Sequence, residues 1–237
     1  MRSAKTFLGL TFLLLAALPA LCQDLVTAAP QAAKLEYEDA RVRVIRMRIP
    51  PHGVLPTHDA NARVVVTLTP NDLTLTRLDG TTTIDVLTPA GKAAWKEPMH
   101  CSVTNNSAAP VEDIVVELKL ADGIAKPRAH APKPPPPGYL DEKFHHWIFE
   151  NQYVRVYDVR IPPGQITDFH VHAFDSVFVE ISPGLTSAQT PEQPWGKAEK
   201  NEAGAMLFSA DSKKSRTHRV RNDGTQEFHV IAVQMLP

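Results

Sequence analysis

The feature that most constrains this chain is that it contains itself twice. Residues 38–51 read EDARVRVIRMRIPP, and residues 150–163 read ENQYVRVYDVRIPP. Glu38, Val42-Arg43-Val44 and Arg48-Ile49-Pro50-Pro51 recur as Glu150, Val154-Arg155-Val156 and Arg160-Ile161-Pro162-Pro163. The correspondence continues with small shifts. Residues 64–70 match 177–183, Ala90-Gly91 matches Ala203-Gly204, Trp95 matches Phe208, and Asn105 matches Asn222. The closing runs DIVVEL (113–118) and HVIAVQ (229–234) then fall opposite each other. Matches kept in this order define a repeated module, and each copy must reach the same fold.

Each module reads as β-structure. Residues 41–49 and 154–161 alternate apolar and polar side chains, the pattern of a strand with one buried face. Residues 67–78 and 228–235 are read the same way. Pro-Pro, Pro-Gly and Asn-Asp pairs punctuate the strands, and no long segment carries a helical period. Short strands about ten residues apart predict an all-β sandwich or barrel. The modules are expected at 35–120 and 146–237. Between them, residues 121–145 hold Pro127, Pro132 and the run Pro134-Pro135-Pro136-Pro137. Such a segment forms neither a helix nor a central strand and acts as an extended spacer. His145 and His146, at its end, are read as solvated linker residues.

Residues 1–22 are set apart from both modules. Arg2 and Lys5 precede an apolar run over residues 6–18, then come Pro19 and Ala20-Leu21-Cys22. This is the pattern of a signal peptide cleaved after Cys22, and the run is too short to span a bilayer comfortably. The mature protein is expected to be secreted or periplasmic, with no membrane span. Its one remaining cysteine, Cys101, cannot form an internal disulfide and is read as a small buried residue. With 25 basic against 26 acidic residues and no basic stripe, nucleic acid is excluded as a partner. A small molecule is the expected ligand. The duplication already supplies a module pair, so the chain is expected to be a monomer or a homodimer.

The chemistry concentrates in GQITDFHVHAFDSVFVE, residues 164–180. On a strand, residues two apart share a face, so His170 and His172 project together. His218 lies on a later strand and is followed by Asn222. Three imidazoles from two strands converge only if the sheet closes on itself.

With Gly164, His170, His172 and Gly184 at their spacing, and His218 with Asn222 further on, the chain resembles the cupin superfamily, duplicated as in a bicupin of bacterial exported type. The resemblance implies two jelly-roll β-barrels in tandem after a signal peptide. It also implies a divalent metal, Fe, Mn, Ni or Zn, bound by His170, His172 and His218, a ligand set that suits such borderline ions. The superfamily's glutamate ligand is missing: its place, counted from Gly184, holds Val177. Asp175 is the nearby acid that could replace it, or serve as a general base. Glu180 is expected to point outward, and His229 to be an ordinary strand residue.

In the first module only His58 remains of the pair. Asp59 is placed at the second ligand position, Val64 at the glutamate position, and His100 opposite His218. This module is read as structural. The functional expectation is an exported bicupin whose C-terminal barrel binds a metal and a small molecule, as a dioxygenase-type oxidoreductase. The alternative is a non-catalytic cupin that binds a sugar or organic acid without metal, or a purely structural barrel.

Overall fold

In a computed structural model of the chain, residues 23–120 and 143–236 are described. The expected signal peptide and all but the last residues of the proline-rich linker lie outside them. One short helix, α1 (Leu25–Ala28), opens the described chain. Nine strands follow in the first half: β1 (Ala33–Glu38), β2 (Val42–Ile49), β3 (Val54–Ala60), β4 (Arg63–Thr67), β5 (Asn71–Arg77), β6 (Thr82–Thr88), β7 (Ala93–Lys96), β8 (Met99–Asn105) and β9 (Val111–Leu118). Nine more make the second half: β10 (His145–Glu150), β11 (Val154–Ile161), β12 (His170–His172), β13 (Ser176–Glu180), β14 (Gly184–Gln189), β15 (Glu199–Asn201), β16 (Met206–Ser209), β17 (Arg216–Asn222) and β18 (Phe228–Met235). Pro70 separates β4 from β5, so the single strand expected over residues 67–78 is the end of one and the whole of the next.

The two halves have one topology. The first pairs its strands in the orders β1-β2-β9-β4-β7 and β3-β8-β5-β6. The second repeats this strand for strand, as β10-β11-β18-β13-β16 and β12-β17-β14-β15. Each half is a jelly-roll barrel of two antiparallel sheets.

The five-stranded sheets are buried on both faces. One face lines its own barrel: Ile45, Met47, Ile49 and Val115 in the first half, Tyr157, Val159, Ile161 and Val230 in the second. The other faces pack against each other. Val42, Val44, Val64, Val66, Ile114 and Val116 meet Val154, Val156, Val177, Val179, Ile231 and Val233 in one apolar cluster. Fully burying a valine or isoleucine contributes about 1.5–3 kcal/mol, so this shared cluster is a main source of stability. Around it Tyr37 stacks on Phe208 with ring centroids 4.3 Å apart, and Trp95 on Tyr153 at 5.8 Å. Arg41 donates to the Asp175 carboxylate at 3.2 Å and to the Leu236 carbonyl at 2.9 Å.

The registers correct one part of the repeat. Val42 pairs with Leu118 and Val154 with Met235, so Leu118 corresponds to Met235, and Asp113 to Val230. Placing DIVVEL on HVIAVQ slips by one residue, and on a strand that slip exchanges the two faces. The slip passes unnoticed in the sequence because β9 and β18 are buried on both sides, so neither shows the apolar–polar alternation that marks which face is which.

Two features that the halves share hold the barrels in shape. Gly91 and Gly204, at matching turns, adopt φ of 76° and 78°, a left-handed conformation that favours glycine. Asn105 and Asn222 are fully buried. Asn105 Nδ2 donates to the carbonyls of Pro50 and Ala109 at 3.0 and 2.8 Å, and Asn222 Nδ2 to those of Ile161 and Gln226 at 2.7 and 2.8 Å. Each side chain therefore ties the turn after its strand to the end of β2 or β11.

Candidate metal centre

β12 pairs with β17 so that His170 lies opposite His218 and His172 opposite Arg216. Alternation on β12 turns both of its histidines inward. His170, His172 and His218 are 2, 3 and 8% exposed. Their ring centroids lie 4.7–5.0 Å apart, and one ring nitrogen from each falls within 4.8 Å of the others. Three ligands each about 2.1 Å from one ion lie at most about 3.6 Å apart, so a set at the 4.8 Å limit must close by about 1 Å to hold one.

The electrostatics suit ligation. Burial is the first cause that pushes His172 far below the usual imidazole range, followed by the charges of His218, His170 and Arg216. Burial, then Arg216, pushes His218 down to about 3. Both rings are neutral at physiological pH, the form that binds metals. His170 Nδ1 sits 2.9 Å from the Asp168 carbonyl, which assigns the proton to Nδ1 and leaves Nε2 with a lone pair. His172 Nδ1 is buried and has no hydrogen-bond partner. A buried polar atom left unpaired in a ring of imidazoles is what a missing ion would explain. One contact opposes it: the Arg216 guanidinium donates to His218 Nδ1 at 3.3 Å. Arg216 also reaches Asp211 at 3.3 Å, a partner it keeps if the histidine turns to an ion.

The triad opens into a cavity of about 210 Å³. Phe178, Val220, Phe228 and Ile161 give it apolar walls, and Glu180, Arg216, Thr186 and Asn201 give it polar ones.

Several expected site residues lie elsewhere. Asp175 does not join the histidines. It is held by Arg41 of the first barrel and by the Ser212 backbone amide at 3.0 Å. Val177 is fully buried between the barrels and points away from the cavity. The residues of β13 that line the cavity are Phe178 and Glu180, so the outward orientation expected for Glu180 is wrong. That expectation treated the core of Val177 and Val179 as the barrel interior, whereas it is the interface between barrels. His229 is an ordinary strand residue, as expected. It lies 2.9 Å from Asp158 and abuts Gly91 of the first barrel. His145 departs from expectation: it is buried in β10, lines the cavity, and its ring lies 4.8 Å from that of His170. The linker composition before it hid this role.

In the first barrel, His58 pairs with Cys101 and Ala60 with Met99. His58, Ala60 and Cys101 therefore hold the places of His170, His172 and His218. Asp59 and His100 are each one residue out of register. They project to the outer face, where they pair with each other half-exposed. Cys101 is buried, as expected, and burial pushes its thiol up.

No family model matches the sequence, and no curated protein matches it. Solved structures do match. A cupin 2 conserved barrel domain protein from Leptotrichia buccalis is 10% identical, with a TM-score of 0.51 over 86% of this chain and 88% of that one. An oxalate decarboxylase from Lactobacillus farciminis, solved as a formate complex, is 13% identical, with a TM-score of 0.55 over 86% and 84%. A variant of the salicylate 1,2-dioxygenase from Pseudoaminobacter salicylatoxidans is 12% identical, with a TM-score of 0.53 over 82% and 71%. The fold is that of the cupins. The strand-for-strand repeat makes it a bicupin architecture, with the histidine cluster in its second barrel.

Proposed function

We propose that the second barrel binds one divalent metal ion through His170, His172 and His218 and holds a small molecule beside it, as a dioxygenase-type oxidoreductase. The observation that carries this reading is the convergence of three buried imidazoles, one with an unpaired nitrogen, at the wall of a cavity. The carboxylic and phenolic chemistry in the names of the two enzymes with this fold agrees with a small organic substrate. An ion held there would act as a Lewis acid and, if it is iron or manganese, would support redox chemistry with O2. The chain's own residues do the rest. Phe178, Val220 and Phe228 exclude water, and Arg216 presents a cation to an anionic group. We also propose that residues 1–22 are removed on export, so that the protein works in the periplasm or outside the cell.

Elemental analysis of untagged mature protein tests the metal. Stoichiometric Fe, Mn, Ni or Zn, lost in a His170→Ala/His172→Ala variant, supports the reading. No metal after purification and none taken up on addition sinks it. Oxygen consumption with phenols and dicarbonyls then separates an oxygenase from a binding protein. Two observations favour the second reading, a metal-free barrel that binds an organic acid: Arg216 contacts His218, and no acidic residue stands where the superfamily has its glutamate. The intact mass of exported protein tests cleavage after Cys22.

A further inference from the structure

Glu180 is a costly group in the second barrel that the metal reading leaves unexplained. It sits at the end of β13 on the cavity side, and its Oε2 is buried without a hydrogen-bond partner. Burial alone pushes its carboxyl up to about 8, with no cation offsetting the effect. A carboxyl kept this way costs stability, and such groups concentrate where a ligand satisfies them. The equivalent residue of the first barrel shows the contrast. Thr67 is satisfied by the turn between β6 and β7: its hydroxyl donates to the Pro89 carbonyl at 2.8 Å and accepts from the Lys92 amide at 3.0 Å. At the same place, then, one barrel has a hydrogen-bonded hydroxyl and the other leaves an unpartnered carboxyl oxygen on the cavity side.

Its position along β13 gives the cavity two ends. The ring of Phe178 is 5.6 Å from that of His172. Glu180 lies two residues further along the same face, roughly 7 Å beyond. One end therefore carries the imidazoles and the Arg216 guanidinium, whose charge attracts an anion. The middle is apolar, and the far end offers a carboxyl that can both donate and accept a hydrogen bond.

We propose that Glu180 is the second recognition point of this cavity, hydrogen-bonding a hydroxyl group of the bound molecule. Its ligands would then be small carboxylic acids with an apolar body and a hydroxyl at the end remote from the carboxylate. This inference rests on the reading of the cavity as a ligand site, but not on the metal. The histidine–arginine end holds the carboxylate with or without an ion.

The probes are 4-hydroxybenzoate and benzoate, titrated by calorimetry into wild-type protein, Glu180→Gln and Glu180→Leu, with the metal content of each measured. Wild type should bind 4-hydroxybenzoate about tenfold or more tightly than benzoate, since a site built to pair a hydroxyl rejects the analogue that lacks it. Glu180→Gln, which can still donate and accept, should keep most of the preference, and Glu180→Leu should lose it. Thermal melts no lower than wild type will show that the leucine variant is folded. Equal binding of the two acids, a preference that survives in Glu180→Leu, or binding of neither acid overturns the proposal. A preference in protein that takes up no metal leaves Glu180 standing and removes the metal. Stoichiometric metal without a preference does the reverse.

Discussion

The two barrels share a topology and differ in what they place inside it. Residues that hold the fold match: Asn105 and Asn222 latch the same turn, and Gly91 and Gly204 take the same left-handed φ. Interior residues do not. His170, His172 and His218 stand where the first barrel has His58, Ala60 and Cys101. Glu180 stands where it has Thr67. The first barrel fills its interior with charge instead. Glu117 lies between Arg43 and Arg63 across three strands, beside a cavity of only about 90 Å³. In the second barrel that row is Arg155, Gln234 and Ser176. A turn or latch residue is fixed by backbone geometry that both copies need. A wall residue is fixed only by what the cavity holds, so the wall is where two copies of one module diverge.

The sharpest way to break the comparison is through the metal. His170→Ala/His172→Ala should abolish metal uptake, whereas His58→Ala should leave the metal content unchanged. Loss of metal in both would show that the first barrel also binds it. Ala60→His/Cys101→His, which rebuilds the triad in the first barrel, should add a second equivalent of Zn or Co by elemental analysis.

Next in size is Val177→Glu. Counting along the sequence suggests that it would restore the superfamily's acidic ligand. The structure places it between the barrels, where an unpaired buried charge costs about 3–5 kcal/mol. The melting temperature should fall by about 10 °C, at 2–4 °C per kcal/mol for a chain of this size. A variant that gains metal affinity without losing stability would show that β13 faces the other way.

Smaller, and equal in the two halves, are Asn105→Ala and Asn222→Ala. Each strands buried carbonyls and should cost about 2–3 kcal/mol in denaturant unfolding. A clearly larger loss in one would show that the barrels do not share their folding constraints.

The last effect is pH-dependent. Glu180 binds its proton more tightly in the folded protein, its pKa rising from 4.5 to about 8. Wild-type stability should therefore decline as pH rises through this window and level off above it. Glu180→Gln lacks the titration, so its melting temperature should pull steadily ahead of wild type between about pH 5 and pH 8. A constant difference would mean that the carboxyl is solvated.

How far the sequence could be read follows from the same geometry. The repeat, the strands and the histidine triad were legible because they rest on identities kept in order along the chain and on spacings within single strands, His170 with His172 on β12 and His218 with Asn222 on β17. The facing of β13 was not. Val177 and Val179 look like a barrel core, and only the packing of the second sheet shows that they belong to the interface. That one ambiguity hid Glu180 and assigned the glutamate place to Val177. On β8, a register one residue off put His100 in the place of Cys101. His145 was concealed by its neighbours, since a proline-rich segment gives no sign of where the next strand begins.

The shared cluster between the five-stranded sheets carries a last consequence. A homodimer joined through such a face would present two like sites that could influence each other. Here the face is built within a single polypeptide from unlike halves, so every molecule pairs one histidine-lined barrel with one that has lost its triad. Saturation of the proposed site in a single chain should then follow a simple hyperbola with a Hill coefficient of one, because among the described residues each chain carries one copy of it.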